Sequence, residues 1–365
     1  MSRSHTLSKQ AFVDYSLPSE RIAQQPIGLA NERSNSNLLH LKLNSNEYLI
    51  EDRHVFDFAN LLRADDLVIF NQSKVVPVRF VFNKSESNSE IEVLLVRRLE
   101  QKSIFETWEA LARPMKRLKA GDKLQISKSL LATMLGRSED KRKIIIELSI
   151  SDDEFTSIEK AIEHQGSMPI PVYIRHGRSM ESDRELYQTV YAKDSGSIAA
   201  PTAGLHFNDQ SFNDFKARGI EFHFITHHVG LASFQSVNVD DYRDYQMPSE
   251  SYLVSTEVGK IINKAKTLGR RIVAVGTTTA RALESWARSN HITDQLIETD
   301  LFIYPGFEFK IVNCLFTNFH QPRTTHMLLV SALAGADALS AAYQHALQRD
   351  YRFLSYGDAM FVDIN

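Results

Sequence analysis

Residues 255–289 read STEVGKIINKAKTLGRRIVAVGTTTARALESWARS, and their periodicity decides the fold class. The first third predicts a helix. Ser255 suits the N-cap, Val258, Ile261, Ile262, Ala265 and Leu268 share one face, and Gly269 suits the position just past the end. RRIVAVG then reads as a buried strand and TTARALESWARS as the next helix. Working outward, IEFHFIT reads as a strand, and LFIYPG, KIVNCLFTNF, TTHMLLVSALAG and DALSAAYQHALQRD continue the alternation. Strands alternating with helices predict an α/β domain with parallel strands.

The segment between about Val75 and Ile150 has a different character. EIEVLLVRR, TWEALAR, KLQIS and RKIIIELSI are short alternating or β-branched runs, separated by turn signals such as Lys119-Ala120-Gly121-Asp122. They predict a small antiparallel barrel or sandwich inserted into the α/β domain. The Asn- and Ser-rich stretch from Asn31 to Asn46 reads as loop, interrupted by the strand LLHLKL. No internal repeat or low-complexity tract is visible.

Composition narrows the function classes. The 365 residues are 43% apolar, enough for a sizeable core and, by length, for two domains. A net charge of −3 means that any nucleic-acid partner must be met by a local patch rather than by a global field. The single cysteine, Cys314, excludes a disulfide scaffold, a four-cysteine zinc site and a three-thiolate iron–sulfur cluster. The N-terminus MSRSHTLSKQ has no signal-peptide apolar core, and the strongest apolar run, MLLVSALAGA, is half of what a bilayer span of about 20 residues requires. A cytoplasmic location with no membrane association is therefore expected.

Five places carry chemistry. Gly276-Thr277-Thr278-Thr279-Ala280-Arg281 joins a strand to a helix, where free N–H groups, hydroxyls and a guanidinium suit a phosphate or carboxylate. The same pattern also arises when Thr277 simply caps a helix. The stretch from Gly196 to Phe207, GSIAAPTAGLHF, reads either as a ligand-hugging loop ending in a proton carrier, His206, or as a tightly packed loop. His223, His227 and His228 do not converge as metal ligands, because the first two share a strand face that His228 does not. NFHQPRTT, Asn318–Thr325, brings His320 and Arg323 to another strand–helix junction. The basic run Arg113, Lys116, Arg117 and Lys119 can neutralise phosphates or can be a solvated face. No metal site is expected.

Taken together, these segments resemble one known family. Tyr15-Ser-Leu-Pro18, Ile22-Ala-Gln-Gln-Pro26, LVIFNQSKVVPVR, RPMKRLKAGD, YQTVYA, GSIAAPTAGLHF, THHVGLASFQSV, AVGTTTARALES, TDLFIYPGFEFKIVNCLFTNFHQP and YRFLSYGDAM follow, in order, the motifs of the tRNA ribosyltransferase-isomerase family of queuosine biosynthesis. The resemblance covers almost the whole chain. It implies a parallel-strand, barrel-like α/β domain, residues 1–70 and 151–365, with an antiparallel β-barrel domain, residues 71–150, inserted into it.

The implied reaction transfers the ribosyl part of S-adenosylmethionine to 7-aminomethyl-7-deazaguanine at the tRNA wobble position and isomerises it, giving epoxyqueuosine, adenine and methionine. The implied partners are S-adenosylmethionine and a tRNA anticodon stem-loop, with no metal or organic cofactor, and a monomer is expected. The implied catalytic residues are His206, Glu250, His228 and His320, with His206 first as base and Glu250 as its rival. The implied substrate contacts are Gly196, Ser197, Pro201, Thr202, Gly204, Gly276, Thr277, Thr278, Arg281, Tyr356 and Asp358. Arg113, Lys116, Arg117 and Lys119 are the implied RNA contacts.

The chain departs from the family pattern at Asn37, Gln72, Ser73, Val172, Ala232, Ser233, Tyr245 and Pro248. These departures motivate a competing reading, a tRNA-binding relative with a decayed site or an altered substrate. A third reading, a sugar isomerase without an RNA partner, predicts no salt-dependent tRNA binding.

Overall fold

The computed structural model describes residues 14–44, 47–84, 89–102, 105–139, 141–151, 154–230, 237–289 and 293–364. They form a mixed α/β fold of two compact units. One comprises Met1–Lys74, Tyr173–His176 and Leu186–Asn365, the other Val75–Val172 and Gly177–Glu185.

The first unit is built on a nine-stranded sheet. Its centre is Glu221–His227, Leu67–Asn71, Ile272–Val275 and Cys314–Asn318, mutually parallel. LVIFN, IVAV and CLFTN are buried throughout, as expected of strands covered on both faces. Outside this centre the sheet turns antiparallel. Glu250–Leu253 pairs antiparallel with Glu221–His227 and, on its far side, with Ile297–Thr299. Ala359–Ile364 pairs antiparallel with Cys314–Asn318 but parallel with Asn37–Leu43, and Tyr48–His54 closes that edge.

The expected all-parallel pattern is thus corrected to a mixed one, for a topological reason. Ala359 pairs with Asn318, so the chain enters its last strand at the carboxyl edge, where no crossover precedes it.

Local chemistry explains the helices. Ser255 accepts the N–H of Val258 and starts Thr256–Thr267, whose Val258, Ile262 and Ala265 are buried. Leu268, expected on that face, caps the helix end and is 63% exposed. Gly276, at φ 95°, turns the chain from Val275 into the helix Thr277–Ser289. LFIYPG, read as a strand, is irregular; the strand in that region is Ile297–Thr299. Its carbonyls have another use, because Leu301 O accepts from Arg281. Among the described residues no single helix is long and apolar enough to cross a membrane.

The second unit holds a six-stranded antiparallel sheet in the order Arg79–Lys84, Ser89–Gln101, Phe105–Arg113, Ile144–Ile150, Leu130–Arg137, Lys123–Gln125. Bulges in Ser89–Gln101 and at Ile145/Ile146 bend it, and its two edge strands approach one another, so the sheet curls into a half-barrel. Leu130–Arg137 escaped the sequence reading because LLATMLG has no clean alternation. The unit runs past residue 150 because the helix Ile158–Gln165 packs Ile158, Ala161 and Ile162 onto this fold.

The amino edge of the large sheet is held by charge. Arg271 makes a two-pronged contact with Asp66, 2.9 and 2.7 Å, and also bonds Asp363, which accepts from His40 at 3.0 Å. All four are buried. Arg271→Met would leave Asp66 without its guanidinium and Asp363 with His40 alone. We expect a loss of about 3–5 kcal/mol, read as a lower urea midpoint with an unchanged slope.

Candidate functional site

The carboxyl ends of the central strands carry polar residues, and these build the site. Asn71 ends LVIFN. Its amide donates to His227 O (2.9 Å) and Thr278 Oγ1 (3.3 Å), and its Oδ1 accepts the N–H groups of His227 and Ser73. Three segments are fixed by one side chain.

Glu250 is the centre of the main cluster. Its Oε2 accepts from Arg281 and lies 3.0 Å from His227 Nε2, and its Oε1 accepts the Gly230 N–H at 2.7 Å. Burial alone would raise its pKa. His227, Arg281 and the Gly230 N–H together outweigh burial and hold it at about 2. Glu250 is therefore a fixed negative charge.

Arg281 is largely spent on structure, with further bonds to Leu301 O (2.8 Å), Thr299 O (2.9 Å) and Pro248 O (3.2 Å). His227 Nδ1 faces Thr278 O at 2.9 Å, so both of its ring nitrogens meet acceptors.

Thr277 and Thr278 open the helix beside this group. Thr277 Oγ1 lies 3.1 Å from His326 Nδ1. Glu250, Thr277, Thr278, Arg281 and His326 line a narrow cleft together with Met247, Leu301, Phe302, Ile303, Thr325 and Leu329. His326 in turn stacks on His320 at 5.1 Å, and His320 Nε2 contacts Thr317 Oγ1 at 2.8 Å. Burial, together with His326, holds His320 well below the usual histidine range.

The other expected residues fall into two further groups. His228 contacts Ser73 Oγ at 2.8 Å, and Gly196 lies against its ring so closely that a Cβ would sit 2.8 Å from Cε1. Ser197 Oγ accepts the Val229 N–H and donates to Ala199 O, both at 2.8 Å. His206 is buried apart from Glu250. Its Nδ1 lies 3.1 Å from Ser36 Oγ and its Nε2 accepts from Asn318 Nδ2 at 2.9 Å, while Asn318 Oδ1 accepts from Thr202. Burial first, then the Arg352 and Arg33 cations, push it down to about 3. Gly204 admits the Tyr191 hydroxyl, where a Cβ would clash. Pro201 leads into the helical turn Thr202–His206.

Tyr356 lines a second narrow cleft with His206, Arg33 and Ser36. Asp358 is engaged by Asn37 N, Asn37 Nδ2 and Arg352 N, although burial raises its pKa. Arg113, Lys116, Arg117 and Lys119 are exposed on and beside the helical turn Met115–Arg117 of the second unit, anchored by buried Leu118. The departures Ala232 and Ser233 lie outside the described residues.

The sequence reading missed His227 as a partner of Glu250, and it missed Asn71 and His326. A polar residue ending an otherwise apolar buried strand was the available signal for Asn71; His326 sits inside an apolar helix and offered none. Among the described residues no group of three or more His, Cys, Asp or Glu could hold a metal ion.

The buried imidazoles make stability pH-dependent. His206 is neutral when folded and protonates near 6.5 when unfolded, so the unfolded chain binds more protons between pH 6.5 and about 3. Stability is full above pH 6.5 and falls as pH drops, by about 1.4 kcal/mol per pH unit for this group. Unfolding free energies at pH 7, 6 and 5 should show a shallower decline in His206→Gln.

A family model described as queuosine biosynthesis protein matches residues 10–362. The S-adenosylmethionine:tRNA ribosyltransferase-isomerase of Thermotoga petrophila is 42% identical over 349 residues, 96% of this chain and 98% of its own length. That of Geotalea uraniireducens is 42% identical over 350 residues, and that of Staphylococcus haemolyticus 40% over 350; each alignment covers 96% of this chain and 98% of the relative. The crystal structure of an S-adenosylmethionine tRNA ribosyltransferase from Thermotoga maritima superposes with a TM-score of 0.53 at 34% identity, covering 97% of this chain and 100% of that one. Matched over nearly its whole length by the family model and by relatives at 40–42% identity, the chain belongs to the queuosine biosynthesis protein family.

Proposed function

We propose that the chain is an S-adenosylmethionine:tRNA ribosyltransferase-isomerase of queuosine biosynthesis. It moves the ribosyl part of S-adenosylmethionine onto 7-aminomethyl-7-deazaguanine at the tRNA wobble position and rearranges it to the epoxycyclopentanediol, releasing adenine and methionine. The observation that carries this reading is an intact polar cluster around Glu250 at the carboxyl edge of the sheet, in a chain alike to such enzymes from end to end.

The chemistry asks for what the cluster offers. The sulfonium is a good leaving group and acidifies the adjacent C5′ hydrogens. The site must therefore supply a base, fixed charge and oriented donors rather than a metal or an organic cofactor. The N–H groups and hydroxyls of Thr277 and Thr278 at the helix start are suited to the methionine carboxylate or an RNA phosphate. Glu250 and Arg281 hold that helix start in place. Gly196, Ser197, Pro201, Thr202 and Gly204 form a wall by packing against His228, Tyr191 and Asn318.

Arg113, Lys116, Arg117 and Lys119 present positive charge to the anticodon stem-loop. A cytoplasmic monomer, with the antiparallel half-barrel as an inserted domain of the α/β body, completes the reading.

Two experiments test it. Incubation with tRNA carrying the aminomethyl deazaguanine and S-adenosylmethionine should release adenine stoichiometrically with modified tRNA. Glu250→Gln should cut that rate by about 100-fold, and tRNA binding without any adenine from the wild-type chain would instead favour a decayed relative. Changing Arg113, Lys116, Arg117 and Lys119 together to Gln should weaken tRNA binding and flatten its dependence on salt.

A further inference from the structure

We propose that His326 is the base that takes the C5′ proton of S-adenosylmethionine, an assignment that rests on the function proposed above. Its placement follows from two helix starts. Thr324 caps the helix Thr325–Ala334 by accepting the Met327 N–H, which sets His326 in the first turn. Thr277 stands in the first turn of Thr277–Ser289, and its hydroxyl meets His326 Nδ1 at 3.1 Å. The ring is braced on its face by His320 at 5.1 Å and an interplanar angle of 28°.

Nε2 is the distinguishing atom. Among the described residues it has no hydrogen-bond partner, and His326 lines the cleft shared with Glu250, Thr277, Thr278 and Arg281. With the Nδ1 proton donated to Thr277 Oγ1, the Nε2 lone pair is left available to the cleft.

The competing groups are worse placed. Glu250 has His227, Arg281 and Gly230 N–H on its oxygens. His227 has acceptors on both nitrogens, and His206 has both nitrogens engaged by Ser36 and Asn318. His228 and His320 do not line this cleft.

The protonation state agrees with the geometry. Burial is the main influence on His326; Glu250 opposes it, while Arg281 and His227 add to it, and the ring is held at about 4. It is therefore in its base form at neutral pH.

In the step, the C5′–H bond breaks and its electron pair stays on C5′, stabilised by the adjacent sulfonium. The proton forms a bond to Nε2, giving an imidazolium. The Glu250 carboxylate, which already favours the charged ring, steadies that product.

The test uses the full-length enzyme with aminomethyl-deazaguanine tRNA and S-adenosylmethionine carrying deuterium at C5′. In His326→Ala we expect kcat for adenine release to fall about 100- to 10,000-fold, with KM for S-adenosylmethionine and tRNA affinity within about threefold of wild type. Washout of C5′ deuterium into water should fall in parallel. Added imidazole should restore part of kcat in His326→Ala but not in His326→Gln, where the space stays filled. If the alanine variant does not fold, His326→Gln carries the same kcat and washout expectations.

Retention of kcat within threefold, or a loss expressed in KM alone with washout intact, overturns the assignment while leaving the function standing. Absence of adenine release from the wild-type chain overturns the function, and this assignment with it.

Discussion

A carboxylate buried away from water is unstable unless it is paired, and Glu250 is such a group. Its compensation is what organises the site. Arg281 reaches it from the helix Thr277–Ser289, His227 from the end of a central strand, and Gly230 from the chain that follows. The same guanidinium then collects the carbonyls of Pro248, Thr299 and Leu301, so the edge strand Ile297–Thr299, the approach to Glu250–Leu253 and an irregular segment are tied to one helix start. The cleft wall is rigid because the charge at its centre leaves those segments few other arrangements.

The histidines around this charge differ in their surroundings. His227 has Thr278 O and the Glu250 carboxylate at its two ring nitrogens. His206 is neutral, enclosed with Arg33 and Arg352 acting from outside. His326 sits between these cases, near the carboxylate but with one nitrogen uncommitted. Environments that push like groups apart are how one fold separates structural from proton-transferring roles. The residue type alone does not distinguish them.

That is also why the fold was more legible in the sequence than the site. RRIVAVG, LVIFN and the Ser255-capped helix carry their structure locally, in buried runs, caps and a turn glycine. The antiparallel direction of Ala359–Ile364 is set by where the chain enters it, and the capping role of Leu268 by the helix ending one residue earlier; neither is encoded in a period. At the site, the Gly276–Arg281 junction was visible because strand–glycine–helix is a local pattern. The Glu250–His227–Arg281 contact joins residues far apart in sequence. His206 stood out in the sequence because it ends a glycine-rich loop, and in the structure Gly204 lies against Tyr191 and Gly196 against His228.

The departures from the family pattern can be weighed in the same terms. A decaying site should leave orphaned charge, since removing one partner of a buried pair strands the other at a cost of several kcal/mol. Here the polar departures Asn37, Gln72 and Ser73 are each hydrogen-bonded. Asn37 bonds Asp358 through both backbone and side chain, Gln72 donates to Asp194, and Ser73 contacts His228. Tyr245 packs against Phe302, and Pro248 contributes its carbonyl, a group that every residue type carries. Glu250 and Arg281 remain matched to one another, and Thr277 to His326. A chain under no demand to hold a buried carboxylate at a cleft would gain stability by replacing it with an apolar side chain of similar volume. Its retention, fully partnered, is what a working site requires and what a binding-only relative would have no physical reason to keep.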